Sequence, residues 1–425
     1  MLHRLIDEHM AQVAYEPALR YLQQVLDLEP WREEAHRQAM LLLARTGQFS
    51  AALLQYERCH QILATELAVE PAHETELLYA RIKAVANAPP SALPAPPTPF
   101  IGRTEDLTEL TRLLADRKVR LITLVGAGGM GKTRLALEVA RQVVNEQLRI
   151  FLHGVVFVPL VSIDTTAQVI SALAQALAFT LQPQSPPEEQ LLHYLRDKEM
   201  LLVLDNFEQL AEAAPFALLA KLLQRAPTVK LLITSRIRLN LQGEQLYWMQ
   251  GLQVPALQST AVPLHLDDIV KYSGVQLFIE TVQRVRPGYP ILANELLAIA
   301  TICQQVQGMP LAIELAAAWT NVLAPAEIAS EIGRNLDFLA SEMVDLPLRQ
   351  RSMRAVFDAS WRHLTPTEQI VFRQLSVFRG GFTRAATQVV TGATLPVLLN
   401  LIHKSFLQRT PDERYQIHEL LRQFA

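Results

Sequence analysis

The chain has 425 residues but only two cysteines, Cys59 and Cys303, far apart and each inside a helical pattern. That excludes a disulfide framework and a cysteine-based metal site, and it leaves two buried thiols as the expectation. No run of about 18 uninterrupted apolar residues occurs, so no membrane span is expected. The N-terminal MLHRLIDEHM lacks the apolar stretch of a signal peptide, and the chain reads as cytoplasmic. The net charge is small, −3, and by itself argues neither for nor against nucleic acid. Its distribution is uneven. Residues 1–85 carry 8 Lys/Arg against 12 Asp/Glu, whereas residues 351–425 carry 10 against 5. Half of the residues are apolar, enough for the cores of about two to four domains.

What is present falls into segments. Residues 1–86 are helical throughout and contain a repeat. Ala18-Leu19 and Ala52-Leu53 stand 34 residues apart, the tetratricopeptide (TPR) period, and both units end in Glu-Pro, at Glu29-Pro30 and Glu70-Pro71. The second unit carries seven more residues than the first. A TPR-like module and a generic helical bundle both fit. Residues 87–99, NAPPSALPAPPTP, hold six prolines and form a semi-rigid linker. From 100 to 256, unbroken apolar runs (RLITLVG, GVVFVPL, MLLVLDN, KLLITSR) alternate with amphipathic helices. Strands buried on both faces of a parallel sheet look like this, so an α/β doubly wound unit is expected. Residues 257–345 return to helices. Residues 346–425 read as helices around 350–363 and 366–376, a further helix, a short hairpin (Phe406 to Arg409 with Tyr415 to Ile417) and a last helix, which is a winged-helix pattern.

The stretch LITLVGAGGMGKTRLALEVA (121–140) fits two phosphate-binding patterns. Gly126, Gly128 and Gly131 spell the dinucleotide fingerprint, and Gly126 to Thr133 spell the P-loop of ATP- and GTP-binding proteins. Both seat phosphates on backbone N–H groups at a helix N-terminus. A dinucleotide site wants an acid about 20 residues on, and LRIFLHGVV has none there. A P-loop wants Lys and then Thr after the last glycine, and Lys132 and Thr133 supply them. The candidate phosphate-binding set is therefore Gly126, Gly128, Gly129, Gly131, Lys132, Thr133 and Arg134, with ATP or ADP as the ligand. Asp205, closing the apolar run LLVLD, would hold Mg²⁺ together with the Thr133 hydroxyl. At the end of KLLITSR, Thr234, Ser235 or Arg236 would sense the γ-phosphate, and Arg236 with Lys132 and Asp205 would carry any catalysis. After Asp205 comes Asn206, which cannot act as a base, and Glu208 is the nearest acid. Slow or triggered hydrolysis is expected. A motor or metabolic ATPase is the weaker reading, because no further signature accompanies these motifs.

FIGRTEDL (100–107), GAGGMGKT, LLVLDN, LLITSR, GMPLAIELAA (308–317) and QIHELLRQFA (416–425) follow in the order seen in the NB-ARC ATPases. With these motifs the chain resembles the signal-transduction ATPases with numerous domains (STAND). The helical module and linker in front resemble the bacterial transcriptional activator domain, and the combination is similar to the Streptomyces antibiotic regulatory protein class. The resemblance implies several roles. Ile101, Gly102 and Arg103 would lie by the adenine and ribose, Pro310 would pack on the adenine, and His418 would reach the β-phosphate of ADP. Met309 stands where Leu is more common, and Glu419 where the family has Asp, which weakens the expected ADP lock. The resemblance further implies a switch, closed with ADP and opened or oligomerised with ATP. The helical module would make self-association or other protein contacts. DNA would be read by a domain absent from this chain. The alternative is direct DNA contact by the basic segment 346–425, through Arg373, Arg379, Arg384, Lys404 and Arg409.

Overall fold

The computed structural model describes His9 and residues 15–86, 93–144, 151–161, 163–210, 213–257, 266–340, 351–410 and 412–425. Four helices come first: α1 (Tyr15–Leu28), α2 (Glu33–Arg45), α3 (Phe49–Ile62) and α4 (His73–Ala86). Short connections make consecutive helices pack on each other. Ala18, Leu22, Val25 and Leu26 of α1, at helical spacing, meet Ala35, Ala39 and Leu42 of α2. The seven extra residues of the second repeat fall where α3 runs on as a π-helical turn, Leu63–Leu67, that stops at the left-handed Ala68.

The helical module is docked on the rest of the chain. Leu152 joins the cluster formed by Met40, Ala44, Ala52 and Ile82. Beside it Arg45 pairs with Glu199, both side chains largely buried.

After α5 (Thr104–Ala115) comes the α/β unit. Its strands are β1 (Leu121–Val125), β2 (Val155–Pro159), β3 (Leu201–Asp205), β4 (Lys230–Ser235) and β5 (Glu244–Trp248). All pair in parallel, in the order β2-β3-β4-β1-β5. Helices α6 (Lys132–Val144), α7 (Thr166–Ala176), α8 (Pro187–Leu195) and α9 (Ala213–Arg225) connect them. Every residue of β1, β3 and β4 is buried, as unbroken apolar runs require. β5 is a strand that the sequence reading did not anticipate. EQLYW is an edge strand, largely half-buried, and it carries a charged residue at its start, so it lacks the continuous apolar signature of the inner strands.

The next helices are α10 (Leu266–Ile269), α11 (Ser273–Val285), α12 (Glu295–Gln305), α13 (Pro310–Ala318) and α14 (Pro325–Arg334). The C-terminal unit holds α15 (Met353–Trp361), α16 (Pro366–Leu375), α17 (Arg384–Thr391), α18 (Leu395–His403), the antiparallel pair β6 (Gln408–Arg409) and β7 (Tyr415–Gln416), and α19 (Glu419–Phe424). Thr365 and Glu368 form a capping box that fixes the start of α16. Trp361, Phe372, Phe406 and Phe424 meet edge to face and tie α15, α16, the hairpin and α19 together. Cys59 and Cys303 are buried free thiols, and desolvation pushes them up to about 11 and about 12. Among the described residues no single helix is long and apolar enough to cross a membrane.

One buried apolar cluster runs without a break from Leu107 in α5 through Met309 and Ala312 to Val356, Phe372 and Leu421. The α/β unit, the second helical layer and the C-terminal unit are therefore packed as a single body around the ends of the central strands. Phe372 is fully buried at the centre of the aromatic cluster. Phe372→Ala is expected to cost about 3–5 kcal/mol, read from chemical denaturation followed by Trp361 fluorescence.

Candidate nucleotide-binding site

Strand β1 ends at Val125, and the chain then turns through Gly126–Gly131 into α6. Gly129 and Gly131 take φ of 83° and 81°, which only glycine adopts without strain. At Gly128 the constraint is space: a Cβ there would sit 2.4 Å from Cγ1 of Val356 on α15. The phosphate loop thus lies directly beneath the C-terminal unit.

Lys132 is 7% exposed, and its Nζ donates to the carbonyls of Gly126 (2.8 Å) and Ala127 (3.0 Å). Desolvation lowers its ammonium to about 8. Thr133 Oγ1 donates to Asp205 Oδ1 at 2.6 Å, and Thr234 Oγ1 donates to the same oxygen at 2.6 Å. Asn206 Nδ2 donates to Asp205 Oδ2 at 3.1 Å. β4 lies between β1 and β3 in the sheet, and the Thr234 hydroxyl at its end fixes the end of β3, donating to Asp205 and accepting from the Asn206 N–H at 2.9 Å. Burial raises the Asp205 carboxyl, and the two threonine bonds oppose the rise. Hard oxygens of one carboxylate and one hydroxyl are a donor set that suits Mg²⁺, which takes few protein ligands and completes its shell with phosphate and water. Thr133 and Asp205 would hold it, and it would supply charge neutralisation for the phosphates.

Arg236 follows β4 and is 9% exposed. Its Nε donates to Glu208 Oε1 (3.1 Å), and its Nη1 donates to the Val356 carbonyl (2.9 Å) and to Ser360 Oγ (2.6 Å). The backbone around it is held as well, since Ser405 Oγ donates to the Arg236 carbonyl and the Arg238 N–H to the His403 carbonyl. Glu208 is 2% exposed, and its Oε2 is sealed from solvent with no hydrogen-bond partner among the described residues.

These groups surround a cavity of about 440 Å³. Of the residues expected from sequence, Ile101, Arg103, Gly128, Gly129, Gly131, Lys132, Thr133, Arg134, Asp205, Arg236 and Pro310 line it. Arg103 also braces the loop, donating to the carbonyls of Met130 (3.0 Å) and Gln250 (2.9 Å). Gly102, Gly126 and His418 lie outside the lining. Gly102 packs against Ser273 and Gly126 against Met249. His418 is the N-cap of α19, its Nδ1 accepting from the Leu420 N–H at 3.3 Å, while Nε2 is buried without a partner among the described residues. Burial lowers its imidazole to about 4, so it is neutral. The resemblance carried His418 to the phosphate by motif position; in this arrangement it does not line the cavity and caps α19, while the next N–H, of Glu419, donates to Gln307 Oε1 at 3.3 Å. Gly308 of the Gly-Met-Pro motif serves packing, because its carbonyl accepts from the Leu252 N–H at 2.8 Å and a Cβ there would meet Leu252 O at 2.1 Å.

Sequence reasoning named Glu208 only as the nearest acid, not as the partner of Arg236, and it missed the contributions of Val356, Ser360 and Glu314. It also missed the linker. Arg134 donates to the carbonyls of Thr98 and Pro99, and Arg141 to that of Pro94, so linker residues 95–97 and 99, with Phe100 just after them, form one wall of the cavity. Proline content signals a stiff linker but not where it lies.

Residues 1–83 match the family description "Bacterial transcriptional activator domain", and residues 120–269 match "NACHT domain". The uncharacterized protein Rv0894 of Mycobacterium tuberculosis is 32% identical over 293 residues, 69% of each chain. The putative HTH-type transcriptional regulator Rv0890c of the same organism is 34% identical over 316 residues, 72% of this chain and 33% of the relative. Regulatory protein AfsR of Streptomyces coelicolor is 26% identical, covering 100% of this chain and 43% of AfsR. The chain thus spans a third to under half of the length of these two regulators. Among solved structures, a STAND protein with a tetratricopeptide repeat sensor from Pyrococcus horikoshii aligns with TM-score 0.34 at 14% identity, covering 80% of this chain and 44% of that one. Cdc6p from Pyrobaculum aerophilum aligns with TM-score 0.37 at 16% identity, covering 79% and 95%. Likenesses this loose carry no argument about the site.

A phosphate anion placed against Lys132 would raise its pKa from about 8, so binding favours the protonated amine. ADP affinity is expected to be highest below pH 8 and to fall by up to about tenfold per pH unit above it. Calorimetric titration at pH 7 and pH 9.5 measures this, and a flat profile would show that Lys132 does not meet the phosphates.

Proposed function

Because the chain belongs to the STAND P-loop ATPases that carry an N-terminal bacterial transcriptional activator domain, a class similar to the Streptomyces antibiotic regulatory proteins, we propose that it is the nucleotide-operated switch of a bacterial transcriptional regulator. ATP or ADP with Mg²⁺ occupies the 440 Å³ cavity. Lys132 and the loop N–H groups bind the phosphates, Thr133 and Asp205 hold the metal, and Ile101, Arg103, Arg134 and Pro310 enclose the nucleoside. Residues 100–256 form the nucleotide-binding domain, 257–345 its helical subdomain and 346–425 a winged helix. Support for the last comes from the helix order α16, α17, α18 followed by the β6–β7 pair, with Phe382 bridged to Tyr415 as a third short strand. Residues 1–86 are a TPR-like module for self-association or other protein contacts.

The observation that carries the reading is the position of Arg236. Its guanidinium lines the cavity and at the same time bonds α15 of the C-terminal unit. A γ-phosphate entering beside Lys132 competes for that guanidinium with Val356 O, Ser360 and Glu208. ADP makes no such demand. Nucleotide identity therefore changes the free energy of closure through one side chain, which is the differential affinity that a switch requires. In this arrangement the lock is Arg236 rather than His418. Glu208, held by Arg236, is kept from activating water, which fits slow turnover in the closed form.

Direct DNA contact by the C-terminal unit has little support. Lys404 pairs with Glu368 and Arg409 with Glu413, while Arg373 lies over the Trp361 ring. The exposed face of α18, the helix before the hairpin, presents Leu395, Pro396 and Leu399 with no cation. DNA recognition is assigned to sequence outside these residues.

The nucleotide that co-purifies with the chain tests the switch. Stoichiometric ADP is expected, whereas an empty site with rapid turnover of added ATP would point to a working ATPase. Ser360→Ala removes one bond to the Arg236 guanidinium without touching the phosphate loop. ADP exchange, followed with a fluorescent analogue, is expected to quicken roughly tenfold, the weight of about 1.4 kcal/mol for a hydrogen bond to a charged group. An unchanged rate would remove Arg236 from the lock.

A further inference from the structure

The cavity continues past its phosphate end, and the residue that stands there is Glu314. Helix α13 begins on the phosphate loop, where the Leu311 N–H donates to the Gly129 carbonyl at 3.2 Å and Pro310 Cγ lies 3.8 Å from the point a Gly131 Cβ would occupy. Glu314 is four residues beyond Pro310, so it shares Pro310's face of the helix and lies about 6 Å further from the loop. Both residues line the cavity. Glu314 thus extends, away from the phosphate loop, the wall that Pro310 begins on the nucleoside side.

The surroundings are unusual for a carboxylate. Phe100, Ile101, Leu252 and Leu277 give the cavity that Glu314 lines much of its apolar wall. Burial raises the Glu314 carboxyl, and the positive charges of Arg134 and Arg284 oppose the rise. Arg134 itself is turned to the linker, its Nη2 donating to the carbonyls of Thr98 and Pro99. Among the described residues the Glu314 carboxylate has no hydrogen-bond partner, and its half-buried side chain lines the cavity. A half-buried acceptor held in an apolar wall without a donor is costly unless a ligand supplies one.

Resting on the nucleotide-binding reading above, we infer that Glu314 is the specificity residue of the site. Its carboxylate accepts a hydrogen bond from an O–H or N–H donor of the bound nucleoside, and it thereby sets which nucleotides the cavity retains. The two donor sources within one nucleotide are the ribose hydroxyls and the exocyclic amine of the base. A site built to accept such a donor rejects the analogue lacking it, because the buried acceptor is then left unpaired.

The test uses the full chain freed of nucleotide, with affinities measured by calorimetry for ADP, 2′-deoxy-ADP, 3′-deoxy-ADP and inosine diphosphate. The wild-type chain is expected to bind at least one analogue about tenfold or more weakly than ADP, the weight of one hydrogen bond to a charged group. Which analogue is penalised identifies the donor. In Glu314→Ala the penalty is expected to collapse to within about twofold. Glu314→Gln, of the same size, keeps one acceptor oxygen, and a reduced penalty is expected; it also serves if the alanine variant does not fold. Equal binding of all four ligands by the wild type would overturn the inference. So would a penalty that persists unchanged in both variants, even with a lowered melting temperature, since Glu314 would then be only a counter-charge for Arg134. Failure of the wild type to bind ADP at all would overturn the nucleotide-site reading, and this inference with it.

Discussion

The structure turns on one buried cation. Arg236 sits at the end of β4 with its guanidinium shared between Glu208 of the α/β unit and Val356 O and Ser360 of α15. A guanidinium taken out of water is tolerated only where its donors are satisfied, so the C-terminal unit has to stay in place for Arg236 to stay buried. The same buried group faces the cavity. In the switch proposed above, closure of the body and chemistry of the site would be coupled by this one side chain, without any signal having to travel.

The phosphate end is organised around unlike charges kept close in a dry place. Lys132 and Asp205 are both buried, and each is pushed by desolvation toward its neutral form. Thr133 and Thr234 counter this at Asp205 by donating to one oxygen, and the carbonyls of Gly126 and Ala127 receive the Lys132 ammonium. Each of these groups can exchange a protein partner for a phosphate or a metal. The nucleoside end is built differently, with apolar walls, a linker fastened by Arg134 and Arg141, and the carboxylate of Glu314. Because the linker forms a wall of the cavity, the helical module is tied to the site by chain as well as by the Arg45–Glu199 pair on its far side.

Much of this was legible in the residues. The glycine spacing with Lys132 and Thr133 chose a P-loop over a dinucleotide loop, because only a P-loop uses that Lys-Thr pair. The unbroken apolar runs gave four of the five strands, the three inner ones because a strand covered on both faces has no polar side, and the edge strand β2 because VVFVP is apolar throughout. β5, the other edge strand, escaped because Glu244 and Gln245 break its apolar run. His418 was carried by motif position to a phosphate, whereas its ring caps α19. The direction of Glu208 and the role of Ser360 were not legible, because an acid in a short turn and a serine in a helix look the same whether they face solvent or a buried arginine.

Local chemistry is written in short stretches: which loop curls around phosphate, which strand ends in a carboxylate, which segment is too rich in proline to fold. Those the sequence determined by itself, because each depends on residues within a turn or two of one another. The partners of Arg236, the wall supplied by the linker and the carboxylate of Glu314 join segments 28 to well over 100 residues apart, as in the contact from Arg236 to Ser360. Only the tertiary structure decided them, because they depend on how separately folded units bury their apolar faces against each other, and that packing leaves no periodic trace in the chain.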